Sequence, residues 1–278
     1  MSTTRSTRTG SIVRVAALIV LTAAFLLPAY WLIATALKPE SETITLPLTL
    51  APLHPTLENF KDVLADPSGN VLGWFVNSTI TSTAQAAVHV VLCILAAYPL
   101  ARLTFPGRDA WFWIILSTLM LPPVVLLVPR YVMMLELDWI DTYHPLIWVH
   151  VASAFGVFLL RQFFLGIPRD LEDAARLDGA NILQVIRHVI VPASVPAIVT
   201  LFVFSFLFSW NDFLWPLFTV RGELETLPVG LSKFAGRYAT EYGSLMAAAA
   251  LAALPAVIGF FFAQRYIVQG VTLSGMKD

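Results

Sequence analysis

Charged side chains are scarce in this sequence. Asp, Glu, Lys and Arg make up 13% of its 278 residues, whereas hydrophobic residues make up 58%. Soluble globular domains carry about 25% charged residues, because most of their surface faces water. The shortage of charge excludes an ordinary soluble protein and predicts an all-α integral membrane protein. With a net charge of −1, the chain is not expected to bind nucleic acid.

Cysteine and the usual catalytic motifs are also missing. Cys93 is the only cysteine, which excludes a disulfide within the chain and a cysteine metal cluster. The five histidines are scattered, and there is no HExxH pair, no serine nucleophile elbow and no phosphate-binding loop of the Gly-x-x-x-x-Gly-Lys-Ser/Thr type. We therefore predict no catalytic residues, no metal site and no ATP hydrolysis in this chain.

Long apolar runs recur along the sequence, and each is near the roughly 20 residues that a helix needs to cross a bilayer. They predict six transmembrane helices, at residues 12–36, 71–100, 110–128, 144–164, 191–219 and 243–267. Residues 12–267 then form one membrane domain between the polar tails 1–11 and 268–278. Residues 38–70, 130–143 and 221–242 are predicted to be polar loops. Pro122 and Pro123 predict a kink in the third span.

The first apolar run has an alternative interpretation as a cleaved signal peptide. It is longer than the apolar core of a typical signal, and no convincing cleavage site precedes Lys38. We therefore expect this run to be retained as a transmembrane helix.

The distribution of basic residues predicts the orientation. If the N-terminus is cytoplasmic, eleven of the 17 Lys and Arg residues lie inside and six lie outside. The positive-inside rule favours this orientation, with both termini in the cytoplasm. It also places the charged segment 167–192 in the cytoplasm.

Segment 167–192 has the pattern of two short helices joined by a glycine turn. Pro168 suits a first helical turn, and the acids that follow lie near the positive end of the helix dipole. Gly179 can take the left-handed conformation that ends a helix. Asn181 and Gln184 have the spacing of a capping box, and Pro192 is expected to interrupt the second helix. Leu171, Ala174, Ala175 and Asp178 recur at helical spacing, which predicts an outward face for docking on a soluble partner.

This segment resembles the EAA loop of ABC importer permeases, in which Glu-Ala-Ala, three residues, Gly, nine residues and Ile-x-Leu-Pro follow one another. The corresponding residues are Asp173-Ala174-Ala175, Gly179 and Val189-Ile190-Val191-Pro192, with both spacings kept. The resemblance implies a type I importer permease fold with a cytoplasmic coupling helix. It implies that the following residues couple the chain to an ATPase: Glu172, Asp173, Ala174, Ala175, Asp178, Gly179 and Pro192. Whether Glu172 or Asp173 is the docking acid is left open.

Other stretches are similar to the carbohydrate-type members of that family. They are Tyr98 with Arg102, Phe155-Gly156 to Ile167-Pro168, Trp210-Asn211-Asp212-Phe213, and Gln264 to Lys277. The resemblance implies a permease subunit in a bacterial cytoplasmic (inner) membrane that imports a sugar or sugar-like solute. It implies three protein partners: a second, homologous permease, a dimeric ABC ATPase that binds ATP and Mg²⁺, and an extracytoplasmic solute-binding protein. No cofactor is expected in this chain.

Polar residues inside the predicted spans are candidates for the wall of the solute path. A carboxylate deep in lipid costs roughly 2.5–3.5 kcal/mol on insertion scales, so Asp212 should face protein or water. The candidates are Asn77, Gln85, Trp210, Asn211 and Asp212. Hydrogen bonds that only join helices are the alternative interpretation of Asn77, Gln85 and Asp212.

Two other functions remain open at this stage. One is an ABC permease for another solute class, such as glycerol phosphates or polyamines. The other is a secondary transporter that works alone, which should carry inverted repeats and need no ATPase.

Overall fold

A computed structural model describes residues 8–44, 49–66, 69–237 and 241–275. Regular structure in these ranges is helical throughout, as the composition predicts. The chain divides into two compact units, Met1–Val71 with Leu231–Ala253, and Leu72–Gly230 with Leu254–Asp278.

The first unit contains the long helix α1 (Arg8–Ala36) and two short helices, α2 (Glu40–Thr43) and α3 (Glu58–Ala65). The predicted polar loop 38–70 is therefore partly helical. The Asn59 amide donates hydrogen bonds to the carbonyls of Ala36 (2.8 Å) and Lys38 (2.7 Å), which satisfies acceptors at the end of α1. The first four residues of α1 belong to the predicted tail 1–11, and residues 1–7 lie outside the described residues.

The core of the second unit surrounds α4 (Val71–Arg102), a helix of 32 residues. At 1.5 Å per residue it is about 48 Å long, more than a bilayer requires. Buried side chains of α4 pack against α8 (Ala154–Leu165) and against residues 185–201. Tyr98, Leu160, Phe164 and Ile190 are at most 1% exposed in this cluster.

The third predicted span, 110–128, is broken instead of kinked. Helix α5 (Arg108–Ser117) with its 3₁₀ extension meets the 3₁₀ turn that leads into α6 (Leu127–Glu136) at an angle of 92°. Leu121 and Pro122 each precede a proline and have extended backbone (ψ 117° and 128°), because a following proline disfavours helical geometry. Consequently, the first half of the predicted loop 130–143 is helical.

The fourth predicted span, 144–164, is not continuous either. Helix α7 (His144–Trp148) ends early, and α8 begins after Ser153, whose hydroxyl accepts a hydrogen bond from the Gly156 N–H (3.3 Å). The 12 residues of α8 extend only about 18 Å. That length is shorter than the roughly 30 Å of a bilayer core.

The segment after 180 also differs from the prediction. Pro192 does not interrupt the second helix: α10 (Ile182–Val185) continues through a π-helical turn (Ile186–Ile190) into α11 (Val191–Ala193). The bend, of 84°, lies at Ser194, before α12 (Val195–Trp210). Because Pro192 has no N–H, the preceding turn lacks one α-helical hydrogen bond, and a π turn accommodates this loss.

Three helices complete the chain. They are α13 (Leu214–Thr219), α14 (Leu227–Arg237) and α15 (Tyr242–Gly275). The short helix α9 (Asp170–Leu177), which precedes α10, is described with the candidate site. The fifth predicted span, 191–219, is therefore divided between α12 and α13, and the loop 221–242 contains α14. Helix α15 runs past residue 267, so the predicted tail 268–278 is helical as far as Gly275.

Candidate functional site

Helix α9 and its glycine turn form the first half of segment 167–192. The helix ends at Asp178, and Gly179 follows in the left-handed conformation (φ 86°), as predicted. The Gly179 N–H bonds to the Arg176 carbonyl and the Ala180 N–H to the Ala175 carbonyl, both at 3.0 Å. This pair of bonds is a Schellman motif, which satisfies the last carbonyls of α9 and fixes the direction of the chain.

A capping box starts the second half, as predicted. The Asn181 side chain accepts a hydrogen bond from the Gln184 N–H (3.0 Å), and the Gln184 side chain accepts one from the Asn181 N–H (2.8 Å). Both ends of the connection between α9 and α10 are therefore held by local hydrogen bonds.

Four large apolar side chains are exposed on this segment. Leu177 is 90% exposed, and Leu171, Ile182 and Leu183 are at least half exposed. Ala174 and Asp178 are exposed as predicted, but Ala175 is partly buried against the core. These four large side chains, which we call the docking face, remain at least half exposed among the described residues of the second unit.

Glu172 lies on the opposite side of α9, in a buried polar cluster. Its carboxylate is 2.8 Å from Nε of Arg102 and accepts a hydrogen bond from the Tyr98 hydroxyl (3.1 Å). Arg102 also donates to the Ile167 carbonyl at the start of the segment. The Glu172 side chain is 3% exposed, whereas that of the neighbouring Asp173 is 63% exposed.

Arg176 closes this cluster at the surface. Its guanidinium lies 3.4 Å from Glu172 and from the Tyr98 hydroxyl, and 3.5 Å from Asp173. The hydrogen bond with Tyr98 is the main cause that raises the pKa of Arg176. In the sequence, Tyr98 and Arg102 were singled out only because they resemble residues of the family, and their contact with α9 was not predicted. Their spacing of four residues at the end of a span is the signal that they share a helix face.

Two predicted path residues on α4 have buried amides that bond within the second unit. Asn77 donates to the carbonyls of Glu223 (2.6 Å) and Glu225 (3.0 Å) and accepts from the Tyr143 hydroxyl (2.7 Å). Gln85 donates to the His150 carbonyl and accepts from the Ser205 hydroxyl, both at 3.1 Å. Their contact with solute stays a prediction, and the observed bonds match the helix-joining alternative.

A chain of polar side chains continues from Gln85. Ser205 of α12 lies 2.7 Å from Nδ1 of His89, which is itself buried. Gly156 of α8 packs so closely that a Cβ there would lie 2.6 Å from Cys93 Sγ and 2.9 Å from His89 Nε2. These hydrogen bonds join α4 to α12 and to His150, and Gly156 packs α8 against them. Ser205 is a member that the sequence did not suggest.

The remaining candidates lie at the break between α12 and α13. Trp210 is 3% exposed and stacks on Phe206, whereas Asn211 is exposed. Asp212 is 19% exposed, lies 3.6 Å from Nε2 of His150, and accepts a hydrogen bond from the Trp215 N–H (3.4 Å). Asp212 and Asn211 are therefore the predicted path residues that remain partly accessible.

Within the described ranges, no three His, Cys, Asp or Glu residues are grouped closely enough to hold a metal ion.

Residues 89–273 match the family model for the binding-protein-dependent transport system inner membrane component. The arabinooligosaccharides transport system permease protein AraQ of Bacillus subtilis is 33% identical over 256 residues, which cover 91% of each chain. The sn-glycerol-3-phosphate transport system permease protein UgpE of Rhizobium meliloti is 34% identical over 252 residues, which cover 88% of this chain and 89% of that one.

A solved structure shares the fold. It is the crystal structure of a bacterial ABC transporter involved in the import of the acidic polysaccharide alginate. One of its chains matches with a TM-score of 0.82 at 23% identity, covering 96% of this chain and 99% of that one. The family model covers most of this chain, and the two curated relatives cover nearly all of it. The chain therefore belongs to the family of inner membrane permease components of binding-protein-dependent transport systems.

Proposed function

We propose that this chain is one of two transmembrane permease subunits of a bacterial importer that is driven by a separate ABC ATPase and carries a sugar or sugar-like solute. The family supports the permease role. The names of relatives support the solute class, since AraQ of Bacillus subtilis is an arabinooligosaccharides permease. The other permease would be a homologue that completes the path.

Six membrane crossings account for the helices. Three helices are long and apolar enough to span a bilayer alone. In this proposal the bent pair that meets near Pro122 is a fourth crossing, and α12, the membrane part of the second bent pair, is a fifth. The short apolar helix α8 is assigned as the sixth. The distribution of basic residues supports an orientation with both termini and segment 167–192 in the cytoplasm.

The docking face is the observation that carries the coupling proposal. Leu177 is 90% exposed at the end of α9, and Schellman and capping-box bonds hold the connection from α9 to α10. An exposed cluster of apolar side chains on a water-facing element costs free energy unless another protein covers it. We assign the ATPase as that protein, with Asp173, Ala174 and Asp178 beside the apolar contacts.

The mechanism follows from this contact. Closure of the ATPase dimer on ATP would push α9, and the Schellman turn at Gly179 would pass the displacement to α10 and then across the bend at Ser194 to α12. Asn211 and Asp212, at the far end of α12, would then change their exposure to the solute path. Hydrolysis and release on the ATPase, which binds ATP and Mg²⁺, would return the helices.

A solute-binding protein would deliver the solute at the outer loops. A related structure shows the bacterial alginate ABC transporter in complex with an alginate pentasaccharide-bound periplasmic protein, and one of its chains matches with a TM-score of 0.61 at 16% identity. This likeness concerns the fold alone. The proposal of a binding protein for this chain is supported by the description of its family.

Glycerol phosphate is the second candidate solute. UgpE of Rhizobium meliloti is as similar to this chain as AraQ is, at 34% against 33% identity. Binding measurements on the cognate solute-binding protein would decide. Tight binding of an oligosaccharide supports the first candidate, and binding of sn-glycerol 3-phosphate alone supports the second.

The experiment that tests the proposed function is purification of the tagged chain from its native membrane in mild detergent. We expect a stable assembly that contains a second permease and an ABC ATPase. An assembly free of any nucleotide-binding subunit, with solute uptake that persists without ATP, would identify a stand-alone transporter instead.

A further inference from the structure

The two adjacent acids of α9 have opposite surroundings, although the sequence gives no reason to separate them. Glu172 is 3% exposed and paired with Arg102, whereas Asp173 is 63% exposed and lies beside the docking face. Consecutive residues on a helix point about 100° apart, so one acid can face the protein while the other faces outward.

We propose that Glu172 is a positioning residue that locks α9 to the C-terminal end of α4, so that the two move as one rigid unit, whereas Asp173 belongs to the surface that meets the ATPase. This inference rests on the proposed function. In this proposal Glu172 transmits movement from α9 to α4, and Asp173 helps to bind the ATPase.

The contacts of Glu172 hold α9 from two successive turns of α4. Oε1 pairs with Nε of Arg102 at 2.8 Å, and Oε2 accepts from the Tyr98 hydroxyl at 3.1 Å. Tyr98 and Arg102 are four residues apart and therefore lie on the same face of α4. One oxygen of the carboxylate is in ion-pair contact with Arg102 and the other accepts a hydrogen bond from Tyr98, and together these contacts restrict rotation and sliding of α9 along α4.

Arg102 adds a third point of attachment. It donates to the carbonyl of Ile167, the residue before the Pro168-Arg169 link that leads into α9. The link is thereby tied to the same side chain as the helix itself. A push on α9 reaches α4 directly instead of being absorbed by flexing of these two residues.

The surroundings make this joint difficult to open. The Arg102 and Glu172 side chains are 4% and 3% exposed, and Tyr98, Ile167 and Val185 are buried beside them. Separating the pair within the protein would leave a charge out of contact with water and without its partner, which is costly. The cluster therefore stays closed while the helices move.

A distance measurement on the complete assembly tests the joint. Spin labels at Asp170→Cys on α9 and Leu95→Cys on α4 use exposed positions outside the docking face, and the native Cys93 is buried. ATP with vanadate traps the assembly, so no transported solute is required. We expect one narrow distance that is the same with and without trapping. A distance that changes on trapping would contradict the rigid unit.

Glu172→Gln removes the ion pair at nearly constant volume, and we expect the distance to broaden and to change on trapping. Because an unpaired Arg102 can hinder folding, a second variant combines Arg102→Met with Glu172→Gln and leaves no buried charge alone. We expect the same loss of a fixed distance. A wild-type distance in the folded double variant would show that packing alone holds α9, and would overturn the proposal.

Asp173→Asn is the matched control. We expect it to keep the fixed distance and to weaken ATPase association about tenfold, equivalent to roughly 1.4 kcal/mol. The opposite pattern, with Glu172→Gln affecting only association, would overturn the division between the two acids. Failure of the proposed function is distinguishable, because the wild-type chain would then purify without an ATPase.

Discussion

Gly179 determines the geometry of the connection between α9 and α10. Its φ of 86° is in the left-handed region, and a Cβ placed there would have no atom within 4 Å. Space is therefore available, and only the backbone conformation restricts the residue. The left-handed region costs an ordinary L-residue roughly 1–2 kcal/mol, and β-branched residues are the least suited to it.

We expect Gly179→Val to abolish transport while membrane insertion stays normal, because valine would change the direction in which α10 leaves the turn. Gly179→Asn is the control, since asparagine tolerates the left-handed conformation. Uptake in proteoliposomes, with protease protection as the insertion assay, measures both. Normal uptake by the valine variant would contradict the lever role of this turn.

Gly156 is restricted by space instead of backbone conformation. A methyl group there would meet Cys93 Sγ at 2.6 Å and His89 Nε2 at 2.9 Å. We expect Gly156→Ala to lower the free energy of unfolding in detergent by about 1–3 kcal/mol, the usual cost of overpacking. Gly259→Ala is the matched control, because nothing lies within 4 Å of its added Cβ. Equal unfolding midpoints for the two variants would contradict this close packing.

Asn77 and Asp212 were both predicted to line the solute path, and their environments now predict different phenotypes. Asn77 is buried and bonded to three groups, so Asn77→Ala should lower the free energy of unfolding by about 1–3 kcal/mol. Asp212→Asn keeps the shape of a partly exposed side chain, and we expect an altered KM for uptake with unchanged stability. A changed KM with unchanged stability for Asn77→Ala, and a loss of stability for Asp212→Asn, would contradict this assignment.

Among the elements, α9 is the one that sequence reasoning described best. Its glycine turn, and the capping box that starts α10 after it, depend on residues within a few positions of each other, and such local patterns are visible in a sequence. The burial of Glu172 was not predictable in this way. It depends on Arg102, which is distant in the chain and reaches α9 only through the packing of α4.

The long spans were less predictable as elements. Hydropathy locates apolar residues but does not indicate whether a helix is continuous. The interruption at Pro122 and Pro123 was predicted as a kink but is a 92° break, and the break between Trp148 and Ala154 was missed. Irregular backbone at membrane depth is tolerated only where it is buried in protein or lines a cavity. The break at Asn211 and Asp212 is therefore consistent with a place on the proposed path.

The docking face predicts a change in partner binding at the element scale. Leu177→Glu should weaken ATPase association by about 2 kcal/mol or more, the size expected for a central apolar contact. Leu137→Glu is the control, since Leu137 is 48% exposed on the loop after α6. Co-purification at graded salt and detergent measures the effect, and equal recovery of ATPase with both variants would contradict the assigned contact.

At the scale of the whole molecule, composition was sufficient to predict a helical membrane protein, and the spacing of the EAA-like residues pointed to the family. Neither could decide the solute, because selectivity depends on a few side chains along the path and on the binding protein. The relatives reflect this ambiguity, since sugar and glycerol phosphate permeases are equally similar to this chain.

The central claim is that segment 167–192 lies in the cytoplasm and receives movement from an ATPase. Labelling of Leu177→Cys with a membrane-impermeant maleimide tests it most directly, because Leu177 is 90% exposed and the native Cys93 is buried. We predict labelling in inside-out vesicles stripped of the ATPase, protection when the ATPase is restored, and none in intact spheroplasts. Labelling from the outside of spheroplasts would contradict the account.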